Sequence, residues 1–236
     1  MADKIGSDRP KIPDLPKPGF CKKLFVFFTM VAHIAAIVFT GYVVFLALPG
    51  NYLFAWHPIL MSIAFGVLTT EAILYFSPES TLIPQASRST KVGYHWATNT
   101  TAIICGLIGL TVIVSNKYKN GKPHFTTWHG TLGLITIIYM CVQGLAGTTL
   151  LYPKLLAGKI KLADQKIYHA TSGLFLYTSG LGTLVLALFS SWYTTNAHPA
   201  MWWVSLSCLA WLSLVIMNQV TSEYIPKALK KPSQQY

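Results

Sequence analysis

Four histidines, His57, His95, His129 and His169, each stand near the beginning of one of four consecutive hydrophobic segments. Imidazole is the commonest protein ligand for metals. A metal-binding or ionisable side chain inside a bilayer is costly, so its presence points to function. Successive spanning helices run in opposite directions, which puts histidines at successive helix starts on alternate membrane faces. His57 and His129 therefore share one face, and His95 and His169 share the other. Two facing imidazoles suit the two axial positions of a haem iron. With both positions taken, such a site moves electrons rather than binding oxygen. Zinc wants a tetrahedral set completed by further ligands, and no carboxylate lies within a helical turn of any of the four. Glu71 is the nearest acid on the second segment, about four turns from His57. A quinol-oxidising arrangement takes two histidines from each of two helices, whereas here each helix gives one.

A flat macrocycle also needs small residues beside it. At 3.6 residues per turn, Gly147 lies about five turns from His129 on the same face, Gly180 about three turns from His169, and Gly106 about three turns from His95. These glycines either let a haem lie against the helix or mediate the close helix packing for which membranes use small residues.

The composition is that of a membrane protein: 53% of residues are hydrophobic and 11% charged, against roughly a quarter charged in soluble chains. A spanning helix needs about 20 apolar residues. Six windows qualify, at Leu24–Leu48, Trp56–Phe76, Val92–Val114, Trp128–Leu151, Ile167–Ser190 and Ala200–Val220. Bundles build cofactor sites from side chains on facing helices. The expected fold is accordingly all-α, with six transmembrane helices and a central four-helix bundle, helices 2–5, holding the cofactors. The domain is expected to occupy residues 24–220, with cytosolic tails at 1–23 and 221–236 that read as disordered. The first apolar run starts late and is long, so it reads as an anchor rather than a cleaved signal peptide.

Charge gives the orientation. Of 18 basic residues, 15 fall on the side of the tails and even-numbered loops; Lys117, Lys119 and Lys122 fall on the other. The positive-inside rule makes the first side cytosolic. His95 and His169 then belong to the cytosolic half. The net charge of +11 is a topology signal for a chain partnered by a lipid bilayer, and no nucleic acid is expected. Cys105, Cys141 and Cys208 lie in apolar windows as small hydrophobic side chains, while Cys21 is a palmitoylation candidate.

Several other polar residues carry two readings. Arg88 and Lys91 precede His95 by seven and four residues, and Lys166 precedes His169 by three; they are positive-inside charge or contacts for an anionic donor. On the far side, Lys122 and His124 sit in the basic loop 115–127, as solvated groups or contacts for an anionic acceptor. His33, inside the first window, is a satisfied interior histidine or a neighbour of a haem edge. Glu71, Asn218 and Gln219 read as interhelical hydrogen-bonding groups, with proton coupling the second reading for Glu71. His198, Trp56, Tyr94, Trp128 and Tyr168 fit the membrane interface, and the four aromatic residues, each just before one of the four histidines, have walling a haem as their second reading.

The order of motifs is similar to the cytochrome b561 family. The matching stretches are FAWHPILM at 54–61, TEAIL at 70–74, FSPES at 76–80, LYPKL at 151–155, YHATSGL at 168–174 and VIMNQV at 215–220. Within the family the chain most resembles the short animal transmembrane-reductase branch, which includes a candidate tumour suppressor. The resemblance runs from about Cys21 to Tyr224. It implies two b-type haems, a non-cytosolic one held by His57 and His129 and a cytosolic one held by His95 and His169. It also implies single-electron transfer from cytosolic ascorbate to monodehydroascorbate or ferric iron outside, with Arg88, Lys91 and Lys166 near the donor, and a homodimer. Leu162 stands where some relatives carry arginine. The competing reading, from another functional class, is a haem-free membrane scaffold or metal transporter using the same histidines.

Overall fold

The computed structural model describes residues 18–49, 52–156 and 159–229. Six helices are long and apolar enough to cross a membrane: α1 (Val26–Ala47, within a helix beginning at Pro18), α2 (Leu53–Leu74), α3 (Arg88–Lys119), α4 (Trp128–Leu151), α5 (Leu162–Ala187) and α6 (Pro199–Glu223, within a helix running to Leu229). They overlap all six sequence windows. Residues 1–17 and 230–236 of the expected tails lie outside the described residues, as does the side chain of Cys21. Within the described part, helix already covers Pro18 to Lys23 and continues from Thr221 to Leu229. Regular structure thus extends beyond the apolar windows at both ends, because hydropathy marks the hydrocarbon layer and says little about where a helix stops.

The helix ends follow local chemistry. Ser87 and Thr127 stand in extended conformation before α3 and α4, where their hydroxyls accept from the amides of Thr90 and Gly130; such caps satisfy amides that the helix itself cannot. α2 is less regular. It begins with a 3-10 turn at Leu53–Ala55, and the stretch Ser62–Leu68 winds as a π-helix. Thr69 and Thr70 donate their hydroxyls to the carbonyls of Ala64 and Phe65, five residues back. α1 presses into this stretch, with the Thr40 hydroxyl on the Ser62 carbonyl at 3.1 Å. A Cβ at Gly66 would meet the Thr40 oxygen at 2.5 Å, so the close approach requires glycine there.

α2, α3, α4 and α5 form the central bundle, with α1 and α6 packed together on its flank. The core is apolar and draws on all six helices, from Ala36 and Phe39 of α1 through Leu181 to Leu209 and Ile216 of α6. The outward faces are apolar too: Ile34, Ile37, Phe45, Ile108, Ile138, Leu145, Phe175 and Leu214 are all exposed. A surface of that kind needs lipid around it.

Most buried polar side chains are paired; among the described residues the Gln165 and Gln219 side-chain oxygens are the exceptions. The buried Tyr177 hydroxyl meets that of Thr70 at 2.9 Å. Because Thr70 retains its Phe65 carbonyl when the phenol is removed, Tyr177→Phe is expected to cost no more than about 1 kcal/mol, read as a small shift in thermal unfolding in detergent.

Candidate functional site

The four histidines form two pairs. The ring centres of His57 and His129 lie 6.1 Å apart, and those of His95 and His169 lie 6.2 Å apart. Metal–imidazole bonds of about 2.0 Å, with roughly 1.1 Å from ring centre to nitrogen, place two imidazoles sharing one metal at about 6.2 Å between centres. Both pairs match that spacing. Among the described residues, no cluster of three or more His, Cys, Asp or Glu side chains is suited to a metal ion. The donor set at each position is thus two imidazoles, which fits an equatorially complete metal such as haem iron better than a tetrahedral ion.

Each ring is oriented by its other nitrogen, and the anchors follow a rule. His57 Nδ1 donates to the Gly109 carbonyl at 3.0 Å, and His95 Nδ1 donates to that of Ala72 at 2.9 Å. His129 Nδ1 donates to the Thr183 carbonyl at 3.0 Å, and His169 Nδ1 lies 3.1 Å from the Gln143 amide nitrogen. Every anchor sits about 14 residues after the histidine of its own helix. α2 and α3 thereby hold each other's rings, as do α4 and α5. At 1.5 Å per residue, this separates the two pairs by about 21 Å along the bundle, well within a hydrocarbon core about 30 Å thick. A carbonyl can only accept, so three of the rings carry their proton on Nδ1 and leave Nε2 free for a metal.

Gln143 departs from the carbonyl pattern. Its buried amide also donates to the His169 carbonyl at 2.8 Å, accepts from Ser172 at 2.8 Å, and through Ser172 reaches Tyr139. Asn99 places a second amide 3.3 Å from His95 Nε2. Neither Gln143 nor Asn99 stands out in the sequence; a polar residue four positions after His95 and one about 14 after His129 are the available signals. Replacing such a partner of a metal ligand typically costs about 10–100-fold in metal affinity. Gln143→Leu is therefore expected to weaken the hold of the His95/His169 pair on any metal group and to spare the other pair, read as partial loss of the group on dialysis.

Between His57 and His129 lies a cleft of about 710 Å³ including its open mouth, lined among others by Phe65, Ile137, Gly180, Lys117 and His124. His124 is among the residues that line this cleft. Lys122 is exposed and outside the lining. Lys117 takes the place expected of it, because Leu110, Ile113, Val114 and Lys117 form one face of α3 turned to the cleft. Its ammonium donates to the Pro123 carbonyl at 2.9 Å.

At the opposite end, Arg88 and Lys91 occupy the first turn of α3 and Lys166 lies near the start of α5; Arg88 and Lys166 are exposed and Lys91 half-buried. Of the three glycines, Gly147 meets the His169 ring, where a Cβ would stand 3.2 Å from Cε1. Gly180 borders the cleft between His57 and His129, and a Cβ there would come 2.5 Å from the Phe65 ring. Gly106 faces Ile137 and Met140 instead, which makes it a helix-packing position.

The sequence profile of eukaryotic cytochrome b561 matches residues 56–194, a span that includes all four histidines. The chain belongs to the cytochrome b561 family. It is 44% identical over 201 residues to the transmembrane reductase CYB561D2 of Bos taurus, covering 85% of this chain and 90% of the relative. It is 37% identical over 198 residues to the probable transmembrane reductase CYB561D1 of Mus musculus, covering 84% and 86%. A more distant relative is a probable ascorbate-specific transmembrane electron transporter of Oryza sativa subsp. japonica, 27% identical over 172 residues and covering 68% and 71%. The chain is accordingly a multi-pass, haem-binding oxidoreductase of transmembrane electron transfer.

Proposed function

We propose that the protein carries single electrons from cytosolic ascorbate to monodehydroascorbate or a ferric chelate on the opposite side. The observation that carries this reading is the pair of matched histidine spacings, 6.1 and 6.2 Å, at two levels of one bundle. His95 and His169 hold one haem b on the cytosolic side, and His57 and His129 hold a second on the far side. When bound, the two haems supply reversible one-electron carriage between the faces. Everything else is the work of the protein's own groups. Residues 24–220 make up the working unit, and both termini are cytosolic, because 15 of the 18 basic residues share their side.

Donor binding falls to the basic groups around the cytosolic pair. Arg88 and Lys91 add two positive charges to the N-terminus of α3, whose unpaired amides already favour an anion. Lys166 adds a third, one turn before His169. Ascorbate, a monoanion at neutral pH, suits that field. On the far side Lys117 and His124 line the mouth of the cleft beside His57 and His129, and they hold the anionic acceptor.

The reading is tested in sealed proteoliposomes with ascorbate on one side and ferric citrate on the other. Donor and acceptor are expected to exchange electrons without mixing. Arg88→Gln with Lys91→Gln is expected to raise the ascorbate concentration needed for half-maximal reduction about tenfold, by removing two modest charge interactions, while leaving the spectra unchanged. Coloured protein that ascorbate does not reduce would remove the donor from the proposal.

A further inference from the structure

His33 lies buried on α1, belongs to neither pair, and has both ring nitrogens bonded. Its Nδ1 is 2.7 and 2.9 Å from the two carboxylate oxygens of Glu71, and its Nε2 is 2.7 Å from the Ser80 carbonyl oxygen. A carbonyl only accepts, so Nε2 carries a proton. The short contact between Nδ1 and the carboxylate then requires one more, on the ring or on the carboxyl. Without it, two lone pairs would face each other away from water. The site is therefore built around a proton and has room for another on the carboxyl.

Its position links it to the cytosolic pair. Glu71 is followed by Ala72, whose carbonyl anchors His95 at 2.9 Å, and the ring of Phe76 lies 5.3 Å from that of His95. Ser80 belongs to the loop that leads to Ser87 and the basic start of α3. Among the described residues, His33 is the one basic side chain recorded against Glu71. α5 contributes the neutral Tyr177 hydroxyl on Thr70, and α6 contributes the Gln219 amide, which donates to the Ile73 carbonyl at 3.0 Å. The loop contributes the bonded hydroxyls of Ser77 and Ser80 with Glu79 beside them, and α1 contributes Thr29 one turn before His33.

We propose that the His33–Glu71 pair is a proton-binding site coupled to reduction of the haem at His95 and His169; this rests on the haem assignment above. An ascorbate monoanion that loses one electron becomes the monodehydroascorbate radical anion and releases one proton. The electron converts ferric to ferrous haem, and the proton adds to the Glu71 carboxylate, leaving imidazolium beside neutral carboxylic acid. Departure of the electron returns that proton from the Glu71 carboxyl to the water on the same side. The pair thus offsets, in a low-dielectric interior, a negative charge that would otherwise stand alone.

The test is a redox titration of the purified haem protein across roughly pH 5 to 9, the span over which such groups titrate. In the wild type, one of the two reduction steps is expected to take up close to one proton per electron over part of that range. Glu71→Gln and His33→Gln are expected to abolish the uptake while the spectra stay low-spin, and Glu71→Asp to retain it. A wild-type protein whose potentials ignore pH would overturn the proposal, as would undiminished uptake in both variants. Should the variants lose their haem, the reduced-minus-oxidised infrared spectrum of wild-type protein with isotopically labelled glutamate carries the same test. A shifted carboxyl band is expected, and a silent one overturns the site. Colourless wild-type protein would instead fail the haem assignment itself, so the two failures are distinguishable.

Discussion

Exchanging His95 or His169 for leucine is expected to remove one haem of two and to slow ascorbate-driven reduction by about 100-fold or more. A partner of a metal ligand is already worth about 10–100-fold in affinity, and an axial ligand is worth more. The effect is expected to stay local. The rings of His57 and His129 are anchored by the backbone carbonyls of Gly109 and Thr183, which remain when His95 or His169 is cut back. Haem content should fall by half, and the remaining haem should keep its low-spin spectrum. The reciprocal exchange at His57 or His129 should leave a haem that ascorbate reduces but that no longer passes electrons to ferric citrate outside. Haem-to-protein ratios and stopped-flow reduction check both directions. Loss of both haems from every single exchange would show that the pairs are not independent sites.

Gly147→Leu is expected to match those losses without touching a ligand. A Cβ at Gly147 already stands 3.2 Å from His169 Cε1, and the further carbons of leucine would occupy the ring's position. His169 must then swing away from His95, and the cytosolic haem is lost. Gly147→Ala needs only a few tenths of an ångström from the ring and should lower affinity modestly. Gly106 provides the control. Its neighbour is the flexible end of Ile137 at 2.9 Å, so Gly106→Ala should repack and keep both haems. Absorbance per unit of protein separates the three variants.

Much of this arrangement was legible in the sequence, for reasons of parity. One histidine per antiparallel helix can pair only with the histidine two helices along, and the 6.1 and 6.2 Å spacings reproduce that pairing. The six spans were legible because lipid-facing helices are apolar all round. What escaped has no residue type to read. The anchors of His57, His95 and His129 are backbone carbonyls, which any residue supplies, and only Gln143 could have betrayed the reciprocal scheme. The His33–Glu71 contact joins residues 38 positions apart on different helices, and hydropathy does not see such pairs. Lys122 reads from the sequence as an acceptor contact and Lys117 does not, yet Lys117 is the lysine that lines the cleft, on the helical face of α3 with Leu110, Ile113 and Val114. The π-helical stretch of α2 escaped as well, since the hydroxyls that satisfy its widened turns are common in any membrane helix.

The four-ring scheme also explains why the bundle tolerates an irregular α2. Its two ends are fixed by reciprocal bonds with α3, His57 to Gly109 and His95 to Ala72. The π-helical turn between them adjusts the register so that both bonds close.

The central claim is that two bis-imidazole haems stand at opposite levels of one bundle. Haem quantification of the purified protein, combined with its oxidised and ascorbate-reduced absorption spectra, tests it most directly. The predicted result is two haems b per chain, both low-spin and both reduced by ascorbate. Colourless, well-folded protein, or a haem with an open axial position, would contradict it.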